Sequence, residues 1–140
     1  MDSRYRACAE IDLDALGHNI AAIRSRLAEG TRIMAVIKTN AYGHGAVDCA
    51  KYLVTQGVND FAVATIEEGL ELRRNGIEGS ILVLGFIPEE MYPQMIGSDI
   101  TATVYSDSMA RHINAAARLA GRKAKVHIKL DTGMGRIGFK

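Results

Sequence analysis

The sequence has little net charge, few cysteines and no long apolar run, and each shortage excludes a class of protein. Its 17 basic and 16 acidic residues give a net charge of +1, which favours neither nucleic acid nor an anionic membrane as a partner. Cys8 and Cys49 lack the spacing of metal ligands and are typical of free thiols in a reducing cytoplasm. No segment approaches the roughly 18 apolar residues of a membrane span, and the N-terminus has acids rather than the apolar core of a signal peptide. We therefore expect a cytoplasmic protein.

Strand-like and helix-like segments alternate about five times along the 140 residues. Helical spacing of apolar residues begins after Asp12 or Asp14, either of which can cap the first helix, and continues to Gly30. Thr65 and Glu68 have the spacing of a capping box. Short apolar strands are predicted at residues 5–11, 32–37, 60–64, 80–84, 100–104 and 125–130. Continuous apolar strands between helices indicate an α/β fold with a parallel sheet.

The strand at 32–37 ends directly at Lys38, and a loop with Tyr42 and two glycines follows. A lysine at a strand end can be held partly desolvated, which leaves an amine able to form a Schiff base. Glycine allows the backbone to approach a ligand closely, and Tyr42 offers a hydroxyl near the amine. The segment is therefore a candidate catalytic or cofactor site.

Between an open doubly wound sheet and a (β/α)8 barrel of the TIM type, the candidate residues favour the barrel. They follow more than one strand, at Lys38 and again between Lys129 and Arg136, as expected when several loops line one site. The dinucleotide-binding glycine pattern is missing after the first strand. A barrel takes about 250 residues, so we expect these five βα units to be the incomplete N-terminal portion of a larger protein.

Three segments resemble the alanine racemase family in order and spacing. They are EIDLDALGHN at 10–19, VIKTNAYGHG at 36–45 and KLDTGMGRIGF at 129–139, and the similarity covers essentially the whole chain. Thr39 departs from the alanine that is usual in the family. In an extended segment its side chain would point away from that of Lys38, so we expect no change in the chemistry.

The resemblance implies roles for four residues. Lys38 matches the lysine that holds pyridoxal 5'-phosphate as an aldimine and acts as one of two acid–base groups, while the cofactor serves as the electron sink. Tyr42 matches a tyrosine whose hydroxyl contacts the cofactor phosphate. Arg136 matches an arginine that binds the cofactor's phenolic oxygen and faces the substrate carboxylate. Lys129 matches a position that is carbamylated in some members, where the anion holds the arginine.

His44 is expected to be a hydrogen-bonded loop residue, and Glu67, Glu68 and Glu71 are expected to form a solvated helix face.

The same resemblance implies an isomerase that interconverts L-alanine and D-alanine by two-base proton transfer and supplies D-alanine for peptidoglycan. The second base would be a tyrosine of the partner subunit in a homodimer, carried by a C-terminal β-domain. Residues 1–11 would form a strand that joins that domain, and residues 12–140 would form the partial barrel. We therefore expect the 140 residues alone to be inactive.

Three alternatives stay open. One is a racemase for another small amino acid such as serine, because pocket size depends largely on residues outside this sequence. Another is a non-catalytic pyridoxal-phosphate carrier of similar barrel fold, although carriers typically lack the loop at 42–45. Related decarboxylases also lack this loop after their lysine.

Overall fold

Five short parallel strands pair in chain order in the computed structural model, which describes residues 7–140. The strands are β1 (Met34–Val36), β2 (Asp60–Val63), β3 (Ser80–Val83), β4 (Thr101–Val104) and β5 (Val126–Ile128). The helical segments are α1 (Leu13–Arg24), α2 (Lys38–Tyr42), α3 (Ala46–Thr55), α4 (Ile66–Arg74), α5 (Tyr92–Gly97) and α6 (Asp107–Leu119), and a 3₁₀ turn at Glu89–Met91 precedes α5. Across residues 7–140, no helix combines the length and the apolar character that crossing a bilayer requires.

The strand order distinguishes a barrel-type sheet from a doubly wound one. The order is β1-β2-β3-β4-β5 without a reversal, and every pairing is parallel. Crossover connections between parallel strands are right-handed in nearly all proteins, so connections that all advance in one direction put their helices on one face of the sheet. The other face is left free for the interior of a barrel.

Side chains of the strands alternate between these two faces. Phe61 and Val63 of β2 and Ile81 and Val83 of β3 belong to the core that the helices cover, and each has no exposed area. Successive residues of a strand point to opposite faces, so Ala62 and Leu82 point away from the helices. Thr101 and Thr103 of β4 lie on this second face, and the Thr103 hydroxyl donates to the Val83 carbonyl at 2.7 Å. The face that would line a barrel is therefore formed by small, apolar and hydroxyl side chains.

The predicted starts of two helices are confirmed, whereas the predicted end of one helix is wrong. The Asp12 carboxylate accepts from the Ala15 N–H at 2.9 Å and caps α1, and Thr65 caps α4. Helix α1 ends at Arg24 rather than near Gly30. At this end the Arg24 guanidinium donates to the Gln56 carbonyl at 2.8 Å and joins α1 to the end of α3.

The predicted strands between residues 32 and 130 were all longer than those observed, and residues 7–11 of the strand predicted at 5–11 form no strand. Strand β1 covers Met34–Val36 of the predicted 32–37, and Arg32 instead forms a two-contact ion pair with the buried Asp60 carboxylate. Residues 7–11 of the predicted strand 5–11 have no strand partner within the described chain, and residues 5 and 6 lie outside it. The assignment of residues 1–11 to a separate β-domain stays a prediction.

Candidate active site at the carboxyl ends of β1 and β5

Lys38 lies half-buried where the chain leaves β1, and the backbone after it turns left-handed. Thr39, Asn40, Ala41 and Tyr42 all have φ between 52° and 56°, and the first three have ψ between 46° and 49°. For residues other than glycine, this conformation costs about 1–2 kcal/mol each. It is least favourable for a β-branched residue such as Thr39. The extended path expected after Lys38 is therefore wrong, and the surroundings must hold the turn in place.

Backbone and side-chain hydrogen bonds tie this turn to α3. The Ala41 N–H donates to the Ile37 carbonyl at 2.9 Å and opens the turn. The Asn40 side-chain oxygen accepts from the Ala46 N–H at 2.8 Å, which satisfies a free donor at the start of α3. His44 places Nδ1 2.8 Å from the Ala41 carbonyl, so its predicted role as a hydrogen-bonded loop residue is confirmed. Asn40 therefore acts in the loop as a cap for the next helix.

Cys49 packs beneath the same loop. Its thiol donates to the His44 carbonyl at 3.6 Å. Burial raises the pKa of the Cys49 thiol, and the neighbouring Asp48 carboxylate raises it further. A thiol with a raised pKa is a poor nucleophile at neutral pH, so Cys49 serves packing rather than chemistry.

Glu68 connects the loop after Lys38 to the end of β2. Its carboxylate accepts from the Thr39 N–H at 2.7 Å through one oxygen and from the Ala64 N–H at 2.7 Å through the other. In a capping box, the glutamate would bind the N–H of the capping residue, Thr65. Here the Thr65 hydroxyl does accept from the Glu68 N–H, at 3.4 Å. The Glu68 carboxylate, however, binds the N–H groups of Thr39 and Ala64 instead of that of Thr65. The expectation that Glu68 belongs to a solvated face is therefore wrong.

Tyr42 ends the left-handed turn with its side chain 61% exposed. Its hydroxyl is free to meet a ligand at the carboxyl edge of the sheet. A cavity of about 450 Å³ runs between α1, β1 and this loop and is lined in part by Tyr42 and His44. Lys38 does not line that cavity. The amine and the hydroxyl therefore share a loop but not this cavity.

The second group of predicted residues lies after β5. The Phe139 N–H donates to the Lys129 carbonyl at 2.9 Å, and the Asp131 N–H donates to the Phe139 carbonyl at 2.8 Å. These bonds close residues 131–138 into a loop that carries Arg136, whose side chain is exposed. Gly138 has φ 133°, and a Cβ there would lie 2.5 Å from the Asp131 nitrogen, so the base of the loop requires glycine.

Within this loop the Asp131 carboxylate accepts from the Gly135 N–H at 2.9 Å and from the Gly133 N–H at 3.2 Å. These backbone donors lower the pKa of Asp131, because they stabilise its charged form. Lys129 is half-buried, and its amine donates to the Leu130 carbonyl at 2.7 Å.

The structure places the two groups on opposite edge strands of the same sheet. Lys38 and Tyr42 follow β1, and Lys129 and Arg136 accompany β5. All four belong to the carboxyl edge, where sites of parallel α/β proteins form. Four inter-strand spacings separate β1 from β5, or about 19 Å along the sheet. The predicted residues thus share an edge, but Lys38 and Arg136 make no mutual hydrogen bond within residues 7–140.

A larger cavity of about 630 Å³ lies elsewhere, against α6 and β5. It is lined largely by apolar side chains of the helix-facing side, including Ile113, Val126, Ile128 and Phe139. This is the side of β5 that a following helix covers in a βαβ unit. The walls of this cavity are therefore apolar surface of the kind that a helix packs against, and the cavity is not part of the candidate site.

A half-buried lysine at the end of a parallel strand, in a sheet whose helices share one face, defines a barrel-type α/β protein with a candidate cofactor-binding lysine. The family model for "Alanine racemase, N-terminal domain" matches residues 11–140. The chain belongs to this family, and the predicted α/β fold with barrel-type parallel strands is confirmed.

Relatives of this chain are named alanine racemases. The protein of Clostridium tetani is 48% identical over 131 residues, which are 94% of this chain and 34% of that protein. The protein of Methanococcus maripaludis is 47% identical over 94% of this chain and 35% of its own length. The solved alanine racemase of Clostridium difficile 630 superposes with a TM-score of 0.91 at 49% identity, covering 93% of this chain and 34% of that one. The chain thus spans about a third of the length of these relatives.

Proposed function

We propose that residues 7–140 form one part of an alanine racemase active site, with Lys38 as the cofactor lysine and one of the two acid–base groups. The observation that carries this proposal is the position of Lys38. It is half-buried at the carboxyl end of β1, and the peptide group after it is fixed by Glu68. The family assignment supports the reaction class, an isomerase that acts on a small amino acid.

The side chains at this edge have the chemistry that pyridoxal 5'-phosphate requires. Lys38 offers an amine for covalent attachment, Tyr42 an exposed hydroxyl for the phosphate, and Arg136 an exposed guanidinium for an anionic oxygen. When bound, the cofactor supplies an electron sink that stabilises negative charge at the substrate α-carbon. The three residues therefore fit the group, with covalent attachment and the phosphate contact on the β1 side and the arginine contact on the β5 side.

Each residue then has a defined task. Lys38 takes or returns the α-proton on one face of the substrate, since its amine is the basic group at the end of β1. Arg136 orients the substrate carboxylate through its planar fork of donors. Lys129 supports Arg136 if its amine is carbamylated, and as a free amine it holds the Leu130 carbonyl. The second base is a tyrosine of the partner subunit in a homodimer.

The physiological product is D-alanine for peptidoglycan, made in the cytoplasm. The free state of Cys8 and Cys49 supports the compartment, because reducing conditions keep thiols unpaired. A solved relative, the alanine racemase of Bacillus anthracis, is described with bound L-Ala-P at 39% identity and a TM-score of 0.83. This supports alanine over serine as the substrate.

The direct test is racemisation by the intact protein, purified from a host without its own racemase. L-alanine should yield D-alanine, and borohydride reduction with the cofactor present should modify Lys38 alone, as located by peptide mass spectrometry. Faster turnover of serine than of alanine would mean that serine, and not alanine, is the substrate. Modification at another lysine, or no racemisation of either amino acid, would contradict the proposal.

The 140 residues expressed alone provide a second test. In the described chain β1 and β5 each have a neighbour on one side only, so the predicted site residues lie at two open edges. We expect no measurable racemisation from this piece. Turnover of D-alanine by it would show that one sheet and one base are sufficient.

A further inference from the structure

We propose that Glu68 is a positioning residue for Lys38, a role that rests on the function proposed above. The Thr39 N–H that Glu68 binds belongs to the peptide group between Lys38 and Thr39. Fixing this peptide plane fixes the backbone ψ angle of Lys38 and hence the direction in which its side chain leaves β1. Within residues 7–140 the Glu68 carboxylate binds backbone N–H groups and makes no ion pair with the Lys38 amine, so its effect on Lys38 passes through the backbone.

The need for Glu68 follows from how the β1–β2 ladder ends. In a parallel pair, a residue that donates to one position of its neighbour accepts from the N–H two positions further on. Ile37 donates to the Ala62 carbonyl at 2.9 Å, so its own carbonyl would accept from Ala64. That carbonyl instead accepts from Ala41, which opens the left-handed turn. The turn thus occupies the Ile37 carbonyl, which would otherwise accept from the Ala64 N–H in the ladder.

The two carboxylate oxygens of Glu68 supply acceptors for two backbone N–H groups at the end of the ladder. One accepts from the partly buried Ala64 N–H, which would otherwise lack a partner, and the other accepts from Thr39, the first left-handed residue. A carboxylate has two acceptor oxygens and no donor, so it can serve both N–H groups at once. The same contact joins the loop after β1 to the end of β2.

Glu68 is also held from its own side. It lies in the first turn of α4, where the helix N-terminus favours a negative charge, and its N–H is bound by the Thr65 hydroxyl. Glu67 precedes it in the same turn with an exposed side chain. The two glutamates share charge and helix position and differ in their contacts to the loop after β1. Glu67 is therefore a matched control.

The experiment compares the intact protein with its Glu68→Gln and Glu67→Gln variants. The amide of the E68Q variant has one acceptor oxygen, so one of the two N–H groups would face an NH2 group instead. Without cofactor, we expect amide hydrogen exchange in residues 38–45 to become about tenfold faster in E68Q, as expected for local opening after loss of a charge-assisted bond. Exchange of the same peptide in E67Q should match the parent.

The second readout is the rate at which borohydride traps pyridoxal phosphate on Lys38 after the cofactor is added. We expect this rate to fall about tenfold in E68Q and not in E67Q, because a loosened Lys38 presents its amine less often in the reactive direction. A merely structural role for Glu68 would accelerate exchange in residues 66–74 and lower the melting temperature without changing the trapping rate. That result would overturn the proposal.

The outcomes separate this inference from the proposed function. If the parent itself is not modified at Lys38, the proposed function fails, and hydrogen exchange still reports whether Glu68 holds the turn. If the parent is modified and E68Q behaves like E67Q in both measurements, the positioning role alone is wrong. Should E68Q not fold, Glu68→Asp keeps the charge on a shorter side chain, and the same two losses are expected at a smaller size.

Discussion

The loop after β1 and the loop after β5 carry the proposed site residues, and the described chain holds them very differently. After β1, the left-handed turn is bound by Glu68 of α4, by the start of α3 and by its own backbone. After β5, residues 131–138 are held mainly by bonds to one another and to Phe139. Every residue of β2 is buried, whereas every residue of β5 is exposed.

This difference separates the two halves of the proposed site: other elements hold the loop after β1, whereas bonds within the loop itself hold the one after β5. The turn after Lys38 is bound by residues of α3 and α4, and these specific partners maintain its strained backbone. Arg136 lies on a glycine-containing loop whose geometry is internal, so the direction of its side chain is not fixed by the rest of the sheet. The loop after β1 therefore suits the proposed acid–base role of Lys38, because proton transfer needs an accurately placed group.

The largest expected effect compares the lysines of the two loops. Lys38→Ala in the intact protein should lower kcat about 10³-fold or more, because it removes the acid–base group and the covalent attachment. Lys129→Ala should lower kcat only about tenfold, the size of one lost positioning contact. Steady-state racemisation measures both. Equal losses would mean that the β5 loop is as directly involved as the β1 loop.

A smaller effect is expected from Arg136→Lys, which keeps the charge and removes the planar fork. We expect kcat/KM for alanine to fall about 10- to 100-fold, the range for losing charge-assisted hydrogen bonds to a carboxylate. Arg111→Lys on the exposed face of α6 is the control and should leave kcat/KM unchanged. Wild-type kinetics for the Arg136 variant would exclude carboxylate binding by this residue.

The internal geometry of the β5 loop should depend on pH through Asp131. Its pKa is lowered in the folded chain by the Gly135 and Gly133 N–H groups, so its contribution to loop order is present above the ordinary carboxyl pKa. That contribution is lost as the pH falls through the lowered value. Amide exchange of Gly133 and Gly135, followed by NMR, should accelerate over that range beyond the intrinsic change. In the Asp131→Asn variant, Gly133 and Gly135 should be less protected from exchange at neutral pH, and their exchange should lose this pH dependence. An unchanged pH profile in the variant would contradict the role of Asp131 in loop order.

The smallest expected effect is on stability in the β1 loop. Thr39→Asn should raise the free energy of unfolding by about 0.5–1 kcal/mol, because asparagine tolerates the left-handed conformation better than a β-branched residue. Thr31→Asn, at an exposed position whose φ is not positive, should be neutral. Denaturant unfolding measures both. A destabilised Thr39 variant would mean that the threonine side chain makes a compensating contact.

Local signals in the sequence were sufficient for the order of elements and for the candidate lysine. Apolar runs and helical periods are local properties, and the Asp12 and Thr65 caps act within their own turns. The motif around Lys38 placed the lysine at a strand end, where it lies. Element ends were less accurate, as for α1 and β1, because contacts such as Arg32 with Asp60 join distant segments.

The left-handed turn and the partners of Glu68 were decided only by the tertiary structure. Intrinsic backbone preferences disfavour φ near +53° for Thr39, so no local rule would predict it. The spacing of Thr65 and Glu68 predicted a local capping box, but a nearby backbone N–H from another loop competed for the carboxylate. Sequence therefore determined which residues lie at the carboxyl edge. The tertiary structure determined the left-handed turn after Lys38 and the partners of Glu68, because hydrogen-bond donors left free by one segment are satisfied by acceptors from another.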